Sequence, residues 1–209
     1  MSSREEMIER LRIGGVADPR VLEAMAAVPR EEFVLPGDRG EAYADRALPI
    51  GDGQTISQPL MVALLVEALE LHAGDVALDI GTGSGYQAAV MAACGARVIS
   101  VERLPDLANR AAERLGRLGV DVEVVATDGS VGLPDRAPFD AIGVGAAAPR
   151  LPVALARQLR EGGRLVVPIR SGPEGEELTR LRMHEGRWTT ENLGPCRFVP
   201  LIGVDGYPE

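Results

Sequence analysis

The chain has 209 residues, 45% apolar but only 3% aromatic, and its 31 acidic against 22 basic side chains leave a formal charge of −9. That composition fits one globular domain with a packed core; the negative surplus, with arginine as the sole basic residue besides two histidines, disfavours a nucleic-acid partner. No run approaches the roughly 18 uninterrupted apolar residues of a membrane span, Met1 to Arg12 is charged throughout, and Cys94 and Cys196 stand apart from each other and from any histidine. The sequence therefore predicts a cytoplasmic protein with no membrane anchor, disulfide framework or metal site.

In chain order, two short helices are predicted over Arg4–Arg12 and Pro19–Val28. A stretch rich in proline and glycine follows, running to residue 57. It is too long for an ordinary connection, so it reads as a lid over the strand ends. Ser57 then stands as the N-cap of a helix over Gln58–Leu71, with Pro59 in its first turn. From there β-rich runs alternate with helical ones. Strands are expected at Val76–Ile80, Arg97–Glu102, Val122–Ala126, Phe139–Val144 and Arg164–Ile169, and helices at Gln87–Cys94, Leu107–Leu118 and Pro152–Arg160. This alternation is the pattern of an α/β fold, a mostly parallel central sheet with helices on both faces. Past Ile169 a loop, Ser171–Glu177, leads to the alternating runs Leu178–Met183 and Arg197–Leu201, with Glu185-Gly186 as a turn; these read as C-terminal antiparallel strands. The division expected is one domain, with an N-terminal helical lid over 1–57, a core over 58–170 and the added strands over 171–209.

The densest chemical signal is Val76-Ala-Leu-Asp-Ile-Gly-Thr-Gly-Ser-Gly-Tyr86, three glycines between the first parallel strand and the next helix. In an open α/β sheet ligands sit at that turn. A dinucleotide fingerprint would need a glycine at position 86, which is Tyr86, and no Gly-Lys-Ser/Thr follows as a phosphate loop requires. Asp79-x-Gly81-x-Gly83-x-Gly85 instead resembles the cofactor motif of class I S-adenosylmethionine-dependent methyltransferases, whose fold is Rossmann-like. Two more acids end successive strands. Glu102 stands where an acid accepts both ribose hydroxyls, and Asp128-Gly129 where that family contacts adenine.

Outside the glycine loop, Val28-Pro-Arg-Glu-Glu-Phe-Val34, Ala42-Tyr-Ala-Asp45, Leu48-Pro-Ile-Gly-Asp-Gly-Gln-Thr-Ile-Ser-Gln-Pro59, Gly162-Gly-Arg-Leu-Val-Val-Pro168 and Arg197-Phe-Val-Pro-Leu201 resemble the protein-L-isoaspartate O-methyltransferase family in order and spacing. The resemblance implies methyl transfer from S-adenosylmethionine to the free α-carboxylate of isoaspartyl residues in peptides or damaged proteins, by a protein that acts as a monomer without membrane or nucleic-acid partners. It also implies that Ser57 holds the acceptor carboxylate. The cofactor would be held by Gln54, Thr55, Ile56, Ser57, Asp79, Gly81, Thr82, Gly83, Gly85, Glu102, Asp128 and Gly129, and Glu176 would take the place of a glutamine near cofactor and substrate. Gly145 replaces a threonine common in the family.

A carboxylate is ionised at neutral pH and needs no general base, so neither His72 nor His184 is required, and both read as surface residues. Two rival functions remain open at this stage. One is a same-fold enzyme esterifying an aspartate of a biosynthetic precursor peptide; the other is a catalytically silent cofactor-binding protein.

Overall fold

In a computed structural model, which describes residues 3–172 and 175–208, the chain opens with α1 (Arg4–Ile13) and α2 (Pro19–Ala27). Ser3 and Glu6 close a reciprocal capping box on α1, and the Asp18 carboxylate caps α2 ahead of Pro19, each satisfying amides that a helix start leaves unpaired. Two short 3-10 turns, Arg30–Phe33 and Pro36–Glu41, carry the chain to a hairpin of β1 (Leu48–Gly51) and β2 (Gln54–Ile56), then to α3 (Pro59–Ala68). The region expected as an irregular lid is thus largely built of small regular pieces. Helix α3 is apolar except for Glu67, which accepts from the Ala17 and Asp18 amides, because it packs among α1, α2, α4 (Tyr86–Ala93) and the sheet.

The central sheet has seven strands: β3 (Val76–Ile80), β4 (Arg97–Glu102), β5 (Val122–Ala126), β6 (Phe139–Val144), β7 (Leu159–Arg170), β8 (Glu176–His184) and β9 (Arg187–Cys196). Their order is β5-β4-β3-β6-β7-β8-β9, parallel from β5 through β7 and antiparallel from there to β9. All six β6 residues are buried, as expected where helices cover both faces of a parallel strand. Helix α5 (Pro105–Arg117) turns Leu107, Ala108, Ala111 and Leu115 to the core at helical spacing. The chain runs outward from β3 to β5 and then returns to β6 on the other side of β3, which leaves a crevice at the carboxyl ends of β3 and β6.

Several boundaries differ from the sequence reading. The cap position of α3 is Gln58, one residue past Ser57, and it makes no side-chain cap. The last expected crossover helix shrinks to α6 (Val153–Ala156), because β7 starts at Leu159 and runs through Gly162-Gly163. The final antiparallel strand is Arg187–Cys196, not Arg197–Leu201. Of the expected loop Ser171–Glu177, residues 173 and 174 lie outside the described residues, and Glu176 and Glu177 belong to β8.

Candidate active site

A cleft with an empty volume of about 680 Å³, open solvent included, sits in that crevice. Its walls come from four separate stretches: Gln54 and Thr55 of β2; Ile80, Gly81 and Gly83; Val101 to Leu104; and the tail Val199 to Ile202. Gly129, Gly145 and Ala146 complete them. A smaller cavity adjoins it, lined by Ser57, Ile56, Thr82, Tyr86 and Gln87. The two share Thr55, Gly81, Gly83 and Gly145.

The glycine loop approaches the cleft as bare backbone, with Gly81 at φ +87° and Gly83 at φ +52°, a conformation that costs glycine little. Four of its amides, however, are spent inside the protein. Gly81 and Thr82 donate to the Val101 carbonyl, Gly85 to that of Thr82, and Gly83 to Glu102 Oε2 at 2.9 Å. A phosphate cradle needs such amides free, so the loop suits a nucleoside with no phosphate. Glu102 is 7% exposed, its other oxygen accepts from Leu104 N–H at 3.1 Å, and it stands in the cleft wall. Each carboxylate oxygen retains a second lone pair, which fits a vicinal diol. Around it Ile80, Val101, Leu201 and Ile202 offer an apolar surface for a flat ring.

Asp79 is not in the cleft. It is fully buried behind the loop, its carboxylate accepting from Gln87 Nε2 at 2.7 Å and Ser100 Oγ at 2.6 Å, and Ser100 is in turn 2.5 Å from Thr82 Oγ1. Burial pushes the carboxyl up to about 6, against the pull of those two hydrogen bonds. The expectation of direct ligand contact gives way to a bracing role, in which Asp79 and Thr82 hold the loop from behind. Gly85 is likewise outside the cleft, starting α4 at φ +94° with its Cα packed toward Leu115.

Asp128 also turns elsewhere. Its carboxylate accepts from Ser130 N–H at 2.8 Å and from Val204 N–H at 2.9 Å, while Ser130 Oγ accepts from Asp205 N–H. It therefore anchors the C-terminal tail, while its neighbour Gly129 lines the cleft. Glu176 is outside the lining as well, and its Oε2 accepts from Phe198 N–H at 2.7 Å at the root of the same tail. The expected place of Glu176 beside the ligand thus finds no counterpart in the cleft lining.

Ser57 does not cap α3. That work falls to Asp45, which reaches from the preceding loop to accept from Leu60 N–H at 3.2 Å and Gln58 Nε2 at 2.7 Å. The Ser57 carbonyl accepts from Arg30 Nη2 at 2.7 Å. Among the described residues no hydrogen bond engages the Ser57 hydroxyl. Both histidine side chains are mostly exposed and outside the two cavities. The sequence reading missed the tail residues Val199 to Leu201, read as part of a strand, and Ile202 beyond it, together with Arg103, Leu104 and Ala146. The apolar alternation of the tail was visible, but nothing local showed that it lies against Ala147 through the 2.7 and 2.8 Å bonds of Ala147 N–H and Leu201 N–H.

A family model described as Protein-L-isoaspartate(D-aspartate) O-methyltransferase (PCMT) matches residues 2–206. A protein-L-isoaspartate O-methyltransferase of Methanoculleus marisnigri is 54% identical over 207 residues, covering 98% of this chain and 93% of its own. One of Koribacter versatilis is 50% identical, covering 98% and 92%. Among solved structures, a protein-L-isoaspartate O-methyltransferase superposes with a TM-score of 0.87 at 32% identity, covering 98% of this chain and 67% of the other. A Plasmodium falciparum structure bearing that family name, in complex with S-adenosyl-L-homocysteine, gives 0.83 at 28% identity, covering 97% and 99%.

Proposed function

The chain belongs to the protein-L-isoaspartate O-methyltransferase family, and on that premise we propose that it methylates the free α-carboxylate of L-isoaspartyl residues in peptides and damaged proteins, with S-adenosylmethionine as donor. The backbone nitrogen of the following residue then attacks the methyl ester and expels methanol to form a succinimide, whose hydrolysis returns part of it to normal aspartate. The observation that carries the reading for these residues is the junction of two cavities. A phosphate-free nucleoside cleft opens through Thr55, Gly81, Gly83 and Gly145 onto the space that holds Ser57.

Glu102 would hold the ribose, the apolar walls the adenine, and Gln54 and Thr55 the remainder of S-adenosylmethionine. When bound, that cofactor supplies an electrophilic methyl group on a sulfonium. The rest is the work of the protein. The acceptor arrives already ionised, so Ser57 need only donate a hydrogen bond to one carboxylate oxygen and hold the other in line; alignment of this kind supplies up to about 7–11 kcal/mol in favourable cases. Gly145 lines both cavities, where a Cβ would stand 3.3 Å from the Gly81 carbonyl oxygen. We propose that the enzyme acts as a monomer. No helix among the described residues is long and apolar enough to cross a membrane. A cytoplasmic location is a separate part of the proposal.

Methyl transfer to a synthetic isoaspartyl peptide, measured beside its ordinary aspartyl twin, tests the activity. Preference for the aspartyl twin would favour dedicated peptide modification, and cofactor binding without turnover would favour a silent binder. For the site, Ser57→Ala should depress turnover at least tenfold while leaving cofactor affinity within about twofold, because the lost bond serves alignment. A variant with intact turnover would remove Ser57 from the reaction.

A further inference from the structure

Beneath Ser57 lies a cation that the reaction as described does not use. Arg30 is fully buried. Its Nε donates to the Ala42 carbonyl and its Nη2 to the Ser57 carbonyl, both at 2.7 Å, and its guanidinium carbon lies 4.7 Å from the centre of the Tyr86 ring. Phe33 packs edge-on against the far side of this arrangement, 5.4 Å from Tyr86 between ring centres. Nη1 is buried and finds no hydrogen-bond partner among the described residues. A buried cation with an orphaned donor is an expensive way to fill space, and an apolar side chain usually gives equal or greater stability. Stability alone does not ask for an arginine there.

Its contacts point to another use. Tyr86 is the residue that follows the glycine loop, so Arg30 spans from that loop's exit to the peptide of Ser57. Ala42 begins the segment that delivers Asp45 to Gln58 and Leu60. Ser57 and Gln58 form the two-residue link between β2 and α3. Arg30 fixes the carbonyl of the first and Asp45 the side chain of the second. A planar guanidinium holds this geometry through two divergent N–H groups and a stacked face, which an ammonium cannot reproduce.

We propose that Arg30 is a positioning residue for methyl transfer: by clamping the Ser57 carbonyl against Tyr86, it sets where the Ser57 hydroxyl meets the acceptor carboxylate relative to the glycine loop. The proposal rests on the assignment of Ser57 to the acceptor, and a misplacement of about 1 Å at such a point costs on the order of a hundredfold in rate. The test is a double-mutant cycle on the full chain with Arg30→Lys, Ser57→Ala and the pair, each assayed on an isoaspartyl peptide at saturating S-adenosylmethionine, with cofactor affinity by calorimetry and folding by melting. Arg30→Lys should lower kcat at least tenfold with cofactor affinity within twofold, and should cost less than twofold when added to Ser57→Ala. If the lysine variant does not fold, Arg30→Gln, which keeps one donor group, gives the same comparison. Wild-type turnover in the Arg30 variant would overturn the proposal. So would an undiminished loss in the Ser57→Ala background, with the Ser57 assignment left standing. Full activity of Ser57→Ala alone would overturn both.

Discussion

Asp79 illustrates how one carboxyl can brace a loop from behind without lining the cleft that the loop borders. Free aspartate titrates near 3.8, and burial raises the folded value to about 6. The folded chain therefore binds more protons than the unfolded one between about pH 4 and 6, so this residue's contribution to stability falls as pH rises through that window; the full difference is about 3 kcal/mol. Asparagine could accept from Gln87 and donate to Ser100, whose hydroxyl can turn to Thr82. Asp79→Asn should therefore melt with the wild type below pH 4 and up to about 6–12 °C above it at pH 8. Parallel melting curves across that range would show that Asp79 is neutral or compensated throughout. Glu102 is the opposite case, a carboxylate in the cleft wall with spare lone pairs. Glu102→Ala removes an anionic acceptor from both ribose hydroxyls and should weaken S-adenosylmethionine binding by about 1.5–3 kcal/mol. Unchanged affinity by calorimetry in a folded variant would take Glu102 out of the site. Both acids end or lie within successive strands and both are buried, so sequence pattern assigns them the same role; only the side of the loop they face separates them, Glu102 toward the cleft and Asp79 behind it.

At the scale of elements, the strands β3 to β6 carry the bounds expected of them, because each is a short apolar run punctuated by glycine, proline or a charged turn. The far side of the sheet was less legible for a physical reason. Strand β9 is an edge strand of mostly exposed or half-exposed residues, so no alternation marks it, whereas Arg197–Leu201 alternates because it lies against Ala147 and forms a wall of the cleft. That tail is seated by Asp128 and Ser130, and Gly203 at φ +154° brings its Cα against both side chains, with no room for a Cβ. Gly203→Ala should lift the tail from Asp128 and weaken cofactor binding by roughly 1–3 kcal/mol, the scale of strain at such positions, while the fold survives. The check is calorimetry with hydrogen exchange over residues 199–205. Normal exchange and normal affinity together would show that the tail contributes nothing to the wall.

Across the whole molecule, the cleft is closed by pieces distant in sequence: the β1–β2 hairpin, the ends of β3, β4 and β6, and the C-terminal tail. The hairpin tip is itself tied to α5 by the exposed ion pair between Asp52 and Arg110, a contact that contributes little on its own. Sequence spacing located the strand-end half of this site, since those residues follow one another along the chain at the period of the fold. The other half converges only through tertiary packing. A ligand spanning all these pieces binds the folded chain alone and stabilises it by about 2.7 kcal/mol at a hundredfold excess over Kd. For a chain of this size that corresponds to a rise in Tm of roughly 5–11 °C. If the hairpin and tail are walls of the cofactor cleft, S-adenosylmethionine should slow hydrogen exchange in residues 50–56 and 199–205 as well as in the glycine loop, and leave α1 unchanged. Protection confined to the glycine loop and β4 would mean that the hairpin and tail stand clear of the bound cofactor, and the cleft would then have to be redrawn as a half-open groove.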